Sequence, residues 1–296
     1  MFSLNKEEFD RLRKAGYVSG FTAAEMLFVR FRTSPEFVAS VLPRPLRPPA
    51  DPLGVAFVGL YPQTNFGVTY NEGAVLLDAT YRGEQGRYCL SMPVTDDMAM
   101  LYGREFFGYP KKIAESITLT RGDDTVVGSV VRKGTEILHL EAELTDAATE
   151  RDLDVMGSPT VGLDGQPCRS GLTLQFKHLQ TADFRRFEFI PHLIRHAVLW
   201  GPREDIRVGT AKMTLTSTGA DPLGDIPIRD VLGSLYGTWD NQLIPGRTVG
   251  RAWNMLRYGT QSAFKTDIAQ FLLTGPLTRP QTRQERRDHW HKIRTY

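Results

Sequence analysis

The sequence predicts a mainly β protein of the α+β class, antiparallel in architecture and decorated by peripheral helices. Three observations carry this. Short stretches with apolar residues at every second position recur along most of the 296 residues. Turn signals such as Gly83-Glu84-Gln85-Gly86 and Lys133-Gly134 separate them at hairpin spacing. Helical spacing of apolar residues is confined to a few brief segments.

Composition bounds the remaining choices. At 41% hydrophobic and 24% charged, the chain resembles a soluble globular protein, with material for one large domain or two small ones. We read one domain over 1–296, with an N-terminal helical segment in 1–20 and a C-terminal extension over 255–296. A net charge of +2 gives no reason to expect nucleic acid or a membrane as partner. Two cysteines, Cys89 and Cys168, suit reduced thiols better than a disulfide framework. No apolar run reaches the roughly 18 residues of a spanning helix. The N-terminus lacks the basic-then-apolar order of a signal peptide. A cytoplasmic protein is expected.

In chain order, residues 3–15 predict a short amphipathic helix stopped by Gly16. Residues 24–32 predict a strand. Ser34 then caps a short helix through Leu42, with Pro35 at its first position, and Pro43, Pro45, Pro48 and Pro49 force an extended loop. Residues 54–61 are an apolar run of strand length, and 74–82 and 87–94 flank the first turn. Thr95 is the expected N-cap of the next helix, with Asp96 and Asp97 in its first turn, where the dipole favours negative charge. Met98, Leu101, Tyr102 and Phe106 recur at helical spacing. Gly108 can end this helix in a left-handed conformation, and Pro110 stops it resuming. From Lys111 the period becomes two, with Lys111, Ile113, Ile117 and Leu119 on one face and Lys112, Ala114, Ser116 and Thr118 on the other. Residues 125–131 and 135–144 form a hairpin, with Leu138, Leu140, Ala142 and Leu144 on one apolar face. Residues 145–170 are expected to be loop, and 171–180, 197–200 and 211–216 return to strand.

The chemistry concentrates where that helix meets that strand, in Gly103-Arg104-Glu105-Phe106-Phe107-Gly108-Tyr109-Pro110-Lys111-Lys112. On a strand, two adjacent lysines point to opposite sides, which puts Lys111 on the apolar face and Lys112 on the polar one. An amine held among apolar groups favours its neutral form, and a neutral amine attacks ketones to give an imine. Without context, a Lys-Lys pair is ordinarily two solvated lysines at a strand start.

The segment over 103–112 resembles the active-site segment of the acetoacetate decarboxylase family. So do Phe31-Arg32-Thr33-Ser34-Pro35-Glu36 followed by Val41-Leu42-Pro43-Arg44-Pro45-Leu46, then Tyr70-Asn71-Glu72, Trp200-Gly201-Pro202 and the stretch over 221–228. The resemblance runs from about residue 25 to residue 250. It implies a closed, cone-like β-barrel with the lysine inside, no cofactor, a small keto acid as substrate and a homo-oligomer. It assigns the Schiff base to Lys111, with Lys112 as a neighbouring cation. This family is the usual example of a lysine activated by burial or by an adjacent cation. The two-face pattern favours burial. The resemblance also gives Glu72 a role in proton transfer or positioning, against a solvated loop carboxylate as the plain alternative. It gives Arg32 a role in holding the substrate carboxylate or orienting the acidic residues, against a surface arginine or structural ion pair. The chain departs from the family at 55–60, where a second glutamate is expected and none is present.

Three functions remain open on the sequence: a Schiff-base decarboxylase of acetoacetate or a related β-keto acid, a Schiff-base aldolase-dehydratase acting on pyruvate and aldehydes, and a non-catalytic barrel that binds a small ligand. No dinucleotide or phosphate-loop motif is present. His192 and His196, four apart, could share one face of a helix, but with no third ligand evident a metal site is not expected. Trp253, Tyr258 and Phe264 are candidates for pocket, subunit contact or core. The arginine-rich tail from Arg279 reads as a solvated or subunit-packing segment.

Overall fold

The computed structural model describes residues 2–14, 17–183, 185–203 and 206–270, and the single positions 282, 284, 287 and 291. The tail expected from Arg279 lies outside the described residues except at those positions. No helix among the described residues is long and apolar enough to cross a membrane.

The chain opens with α1 (Lys6–Lys14). Asn5 and Glu8 cap it reciprocally, each side chain accepting from the other's backbone N–H at 2.9 Å. Strand β1 (Ser19–Arg32) follows, then α2 (Pro35–Val41), capped as expected by Ser34, whose Oγ accepts from the Phe37 N–H at 3.0 Å. Next come β2 (Leu53–Tyr61), a two-residue β3 (Gln63–Thr64), β4 (Tyr70–Tyr81) and β5 (Glu84–Val94). The β4–β5 turn is tighter than the Gly83–Gly86 signal predicts. Arg82 (φ 51°) and Gly83 (φ 84°) are both left-handed, a two-residue turn whose twist matches a hairpin.

Helix α3 (Asp97–Tyr102) is capped by Asp96, not Thr95. The Asp96 carboxylate accepts from the Ala99 N–H at 2.8 Å, while Thr95 Oγ1 accepts from the Asn71 N–H and ties the helix to β4. A π-helical turn over Gly103–Phe107 extends α3 and rotates its faces. Ala99, Gly103 and Phe107 are buried, whereas Met98, Leu101 and Phe106, which recur at helical spacing, are exposed. Gly108 ends this turn at φ 81°, as expected.

Strand β6 (Lys111–Ile113) is only three residues long and runs parallel to β5. The alternation expected from Lys111 breaks at Ala114–Glu115, and β7 (Ser116–Arg121) belongs to another part of the sheet, so Ile113 is exposed rather than inward. Strands β8 (Thr125–Arg132) and β9 (Thr135–Ala147) form the expected hairpin through left-handed Lys133 and Gly134. Leu138, Leu140, Ala142 and Leu144 are its buried face. The loop expected over 145–170 instead contains the end of β9, a 3-10 turn over Asp152–Met156, β10 (Ser158–Val161) and the start of β11 (Pro167–Lys177). His192 and His196 lie on β12 (His192–Pro202), a strand and not a helix. After β13 (Arg207–Leu215) comes β14 (Asp230–Leu243), whose interrupting Gly233 and Gly237 hide its periodicity in the sequence. Then come β15 (Arg247–Arg251) and α4 (Met255–Gln261).

Seven strands close a barrel in the order β12-β11-β5-β4-β2-β1-β14, with β14 pairing back onto β12. Neighbours are antiparallel except β5 and β11, which meet in parallel at the single pair Arg87–Thr173. A second layer, β13-β9-β8-β7, continues from β14 and covers one side. Alternation along each barrel strand divides the core in two. On β1, Leu27, Val29 and Phe31 face the outer layer and helices, while Ala24, Met26 and Phe28 face the barrel interior. From the C-terminal segment Tyr258 enters the outer core, whereas Trp253 is 71% exposed.

Candidate active site

The barrel interior holds a cavity with about 970 Å³ of empty space, its mouth included. Its wall is mainly aromatic and aliphatic, with contributions from Phe57, Tyr61, Tyr70, Phe107, Tyr109 and Trp200. Lys111, Glu72 and Arg87 are its charged lining residues.

Lys111 and Glu72 arrive from adjacent elements. Met92 on β5 is in register with Lys111, and Val94 on β5 pairs with Glu72 of β4, so β5 carries both groups to one end of the cavity. Lys111 Nζ donates to Glu72 Oε2 at 2.5 Å, and the two side chains are only 8% and 6% exposed. The ammonium position also lies 5.3 Å above the Tyr70 ring. The pair is net neutral with its proton on either partner, which makes burial of two ionisable groups tolerable. Tyr61 and Tyr70 stack at 4.8 Å, and both phenols engage the Glu72 carboxyl. Burial first, and the charge of Glu72 second, hold both hydroxyls well above their ordinary range, so they stay protonated donors. Nearby Cys89 is also kept as a thiol by burial.

The approach to Lys111 is fixed by glycines. Gly108 packs so closely on β11 that a Cβ would meet the Phe176 carbonyl oxygen at 2.4 Å. Gly103 makes room for the lysine itself: a Cβ there would lie 2.5 Å from Lys111 Cδ and Cε. Lys265, beyond α4, donates to the carbonyls of Gly108 and Phe176 at 2.7 and 2.6 Å and clamps the same turn. Burial lowers its pKa to about 7, with Arg104 adding to the effect.

The other expected residues lie elsewhere. Lys112 does point to the opposite side of the strand from Lys111, but that side is not solvent. Its amine is buried against Ala220 O (2.8 Å), Asp221 (3.0 Å) and Asp267 (3.3 Å), and Arg132 joins both carboxylates. Two acids therefore answer its charge, and it lines a separate cavity. As the neighbouring cation expected to act on Lys111, it is on the wrong side and already compensated. Arg32 is also not brought to the cavity. It sits at the far end of β1, six residues past Met26, which is in register with Gly59 and through it with Glu72. There it is half-exposed and paired with Asp51 at 3.1 Å and Asp230 at 3.7 Å. A surface ion pair explains its position. At 55–60 the inward wall includes Val55 and Phe57, so Glu72 is the one carboxylate lining the cavity among the described residues.

Sequence reasoning did not find Tyr61, Tyr70, Tyr109, Gly103, Arg87 or Lys265. The inward parity of β2 and β4 could have found the first two, because Tyr70 and Glu72 share a face. Nothing local marks Lys265.

Two histidines give this region a pH dependence. Burial pushes His178 and His196 down to about 3 from an ordinary 6.5, and Lys265 and Arg104 add to the effect on His178. Between those limits the unfolded chain binds protons that the folded one refuses, so stability falls as pH falls from about 6.5 towards 3. Each group contributes on the order of a few kcal/mol when the full range is spanned. The urea midpoint should drop across this range, and His196→Leu should flatten the drop. Equal pH slopes in the two proteins would rule out His196 as a source.

A family model described as acetoacetate decarboxylase matches residues 10–252. The chain belongs to the acetoacetate decarboxylase family. Within this family, it is 27% identical over 239 residues to a protein named acetoacetate decarboxylase 2 from Mesorhizobium japonicum, covering 77% of this chain and 82% of that one. The fold superimposes on a crystal structure of acetoacetate decarboxylase from Legionella pneumophila with a TM-score of 0.68 at 18% identity, over 80% of this chain and 88% of that one. It also matches MppR, an enduracididine biosynthesis enzyme solved with the condensation product of pyruvate and imidazole 4-carboxaldehyde. There the TM-score is 0.59 at 17% identity, over 79% and 89% of the two chains.

Proposed function

We propose that this family member is a Schiff-base decarboxylase, a carbon–carbon lyase that converts a β-keto acid such as acetoacetate to a ketone and CO2. The observation that carries the reading is a buried lysine amine 2.5 Å from a single buried carboxylate at the end of an aromatic-walled cavity. The family match and the relatives named acetoacetate decarboxylase support it. With the shared proton on Glu72, Lys111 is a free amine. It adds to the substrate ketone, and loss of water gives an iminium. The bond to the carboxylate breaks, CO2 leaves, and its electron pair enters the iminium to give an enamine. Glu72, whose first proton left with the water, takes a proton from solvent and delivers it to carbon, and hydrolysis by water then releases the ketone and restores the amine and the shared proton. In sum, one keto-carboxylate and one proton give one ketone and one CO2. Apolar walls favour a step that discharges a carboxylate, because a charge is costly there.

Aldol condensation and dehydration of pyruvate with an aldehyde is the second reading. It shares the imine, and both the fold likeness to MppR and the single carboxylate in the cavity favour it over other chemistries.

Borohydride reduction in the presence of acetoacetate, followed by peptide mapping, tests the choice. An isopropyl group on Lys111 is the expected result, because it requires both imine formation and loss of CO2. A carboxyl-bearing adduct moves the assignment to the aldolase-dehydratase. No adduct with acetoacetate or pyruvate would leave a non-catalytic ligand-binding barrel.

Gly103→Ala is a second check. The added methyl displaces the Lys111 stem by about an ångström, a misplacement that can cost about 100-fold in rate. Turnover should fall by that order, with stability lowered by no more than the ~1–3 kcal/mol typical of overpacking. Unchanged turnover would mean that the lysine reaches its substrate from another rotamer.

A further inference from the structure

The cavity that begins at Lys111 is far longer than acetoacetate requires. Its other end is Arg87, which pairs with Asp78 of β4; β5 bulges between Cys89 and Ser91, so Arg87 lies about 13 Å along the sheet from Met92 and the level of Lys111. On β4 the same face runs from Glu72 through Leu76 to Asp78, so apolar wall separates two charged ends.

Arg87 is an unusual residue to find there. Its side chain is 22% exposed. Its Nε makes a long 3.3 Å contact with Asp78, and Nη2 donates to the Val155 carbonyl. Nη1 has no partner among the described residues. Arg30 lies near enough for its charge to oppose that of Arg87. The Nη1 edge of the Arg87 guanidinium is thus left open to a carboxylate, whose geometry its fork suits.

We propose that the cavity takes a long keto acid carrying a second carboxylate at its far end, with Arg87 selecting that carboxylate. The proposal rests on the reading of Lys111 as the imine-forming amine. The reacting ketone lies at Lys111, an apolar chain or ring occupies the middle by Leu76, Met92 and Trp200, and the distal carboxylate meets Arg87. Acetoacetate would fill only the Lys111 end.

Methyl ketones ending in a carboxylate, 7-oxooctanoate and its longer homologues, are compared with uncharged ketones of matching length such as 2-octanone. Calorimetry gives affinity, and borohydride trapping on Lys111 gives imine formation. The wild-type protein should prefer the carboxylate member of the best-fitting pair by about 10- to 100-fold, as expected for a charge-assisted hydrogen bond in a partly dry site. Arg87→Gln should remove that preference. Asp78→Asn should raise it, because it frees the guanidinium from its competitor. A purely structural Arg87, holding Val155 and Asp78, would make neither variant change the preference. Equal affinity for the two ketones in the wild type at every chain length, or a preference that survives Arg87→Gln, overturns the proposal. Failure to trap any ketone on Lys111 would count against the Schiff-base reading, while the calorimetric preference would still decide the role of Arg87.

Discussion

Lys111→Ala should lower kcat/KM on a β-keto acid by about 10⁴-fold or more and abolish the borohydride-trapped adduct. Under the proposed mechanism this removes the covalent nucleophile and with it the whole imine route, and losses of this order are typical when the central group of a catalytic unit is deleted. The other lysines buried nearby among the described residues cannot replace it. Lys112 faces Asp221 and Asp267 on the far side of the strand, and Lys265 is held by two backbone carbonyls. The variant also leaves Glu72 buried without its partner, so rates should be compared at a temperature where circular dichroism shows both proteins folded. Residual turnover within about tenfold of wild type would exclude the mechanism. Lys112→Ala should show the opposite balance. It breaks a buried ion-pair network, for which about 3–5 kcal/mol is typical, but it leaves the Lys111 cavity intact. A melting temperature near that of wild type would show that the network contributes little to the fold.

Glu72→Gln should separate imine formation from turnover. The carboxylate is the one acid at the amine, 2.5 Å away, and two protonated phenols support it. Glutamine keeps the shape and an acceptor oxygen but cannot carry the proton. Loss of general acid–base help typically costs about 10²–10⁴-fold. We expect kcat to fall within that range, while trapping of a ketone on Lys111 persists, because a neutral amine still adds to a carbonyl. If kcat is unchanged, proton delivery must come from elsewhere in the wall, and Tyr61 and Tyr70 would be the next residues to vary.

Local signals were read best where one residue dominates its own geometry. Ser34 caps α2 with Pro35 behind it, Gly108 is left-handed, and Lys133-Gly134 turns the β8–β9 hairpin, because each of these depends on a single side chain or on its absence. The inward face of β9 was legible because alternation is uninterrupted there. The misreadings share another cause. Asp96 displaced Thr95 as cap only because Thr95 had a partner 24 residues away, in Asn71. Met98, Leu101 and Phe106 recur at helical spacing yet are exposed, because the buried face is Ala99, Gly103 and Phe107 and the helix runs into a π turn after Tyr102. β14 went unread because glycines interrupt its pattern, although it closes the barrel.

By itself the sequence determined a mainly antiparallel β protein, the family, and a lysine–glutamate pair, Lys111 and Glu72, that the fold brings together. Strand parity, turn residues and motif spacing are properties of short segments, and these survive folding. Only the tertiary structure decided that Lys112 is buried and neutralised, that Arg32 lies at the wrong end of β1, and that Lys265 clamps the Gly108 turn. It also placed Arg87 at the far end of the same cavity. Each of these depends on which remote groups meet a side chain, and barrel closure by β14 sets those meetings across more than a hundred residues of chain. Charge and burial in such a site are set by pairwise distances in space, which residue spacing along the chain does not encode.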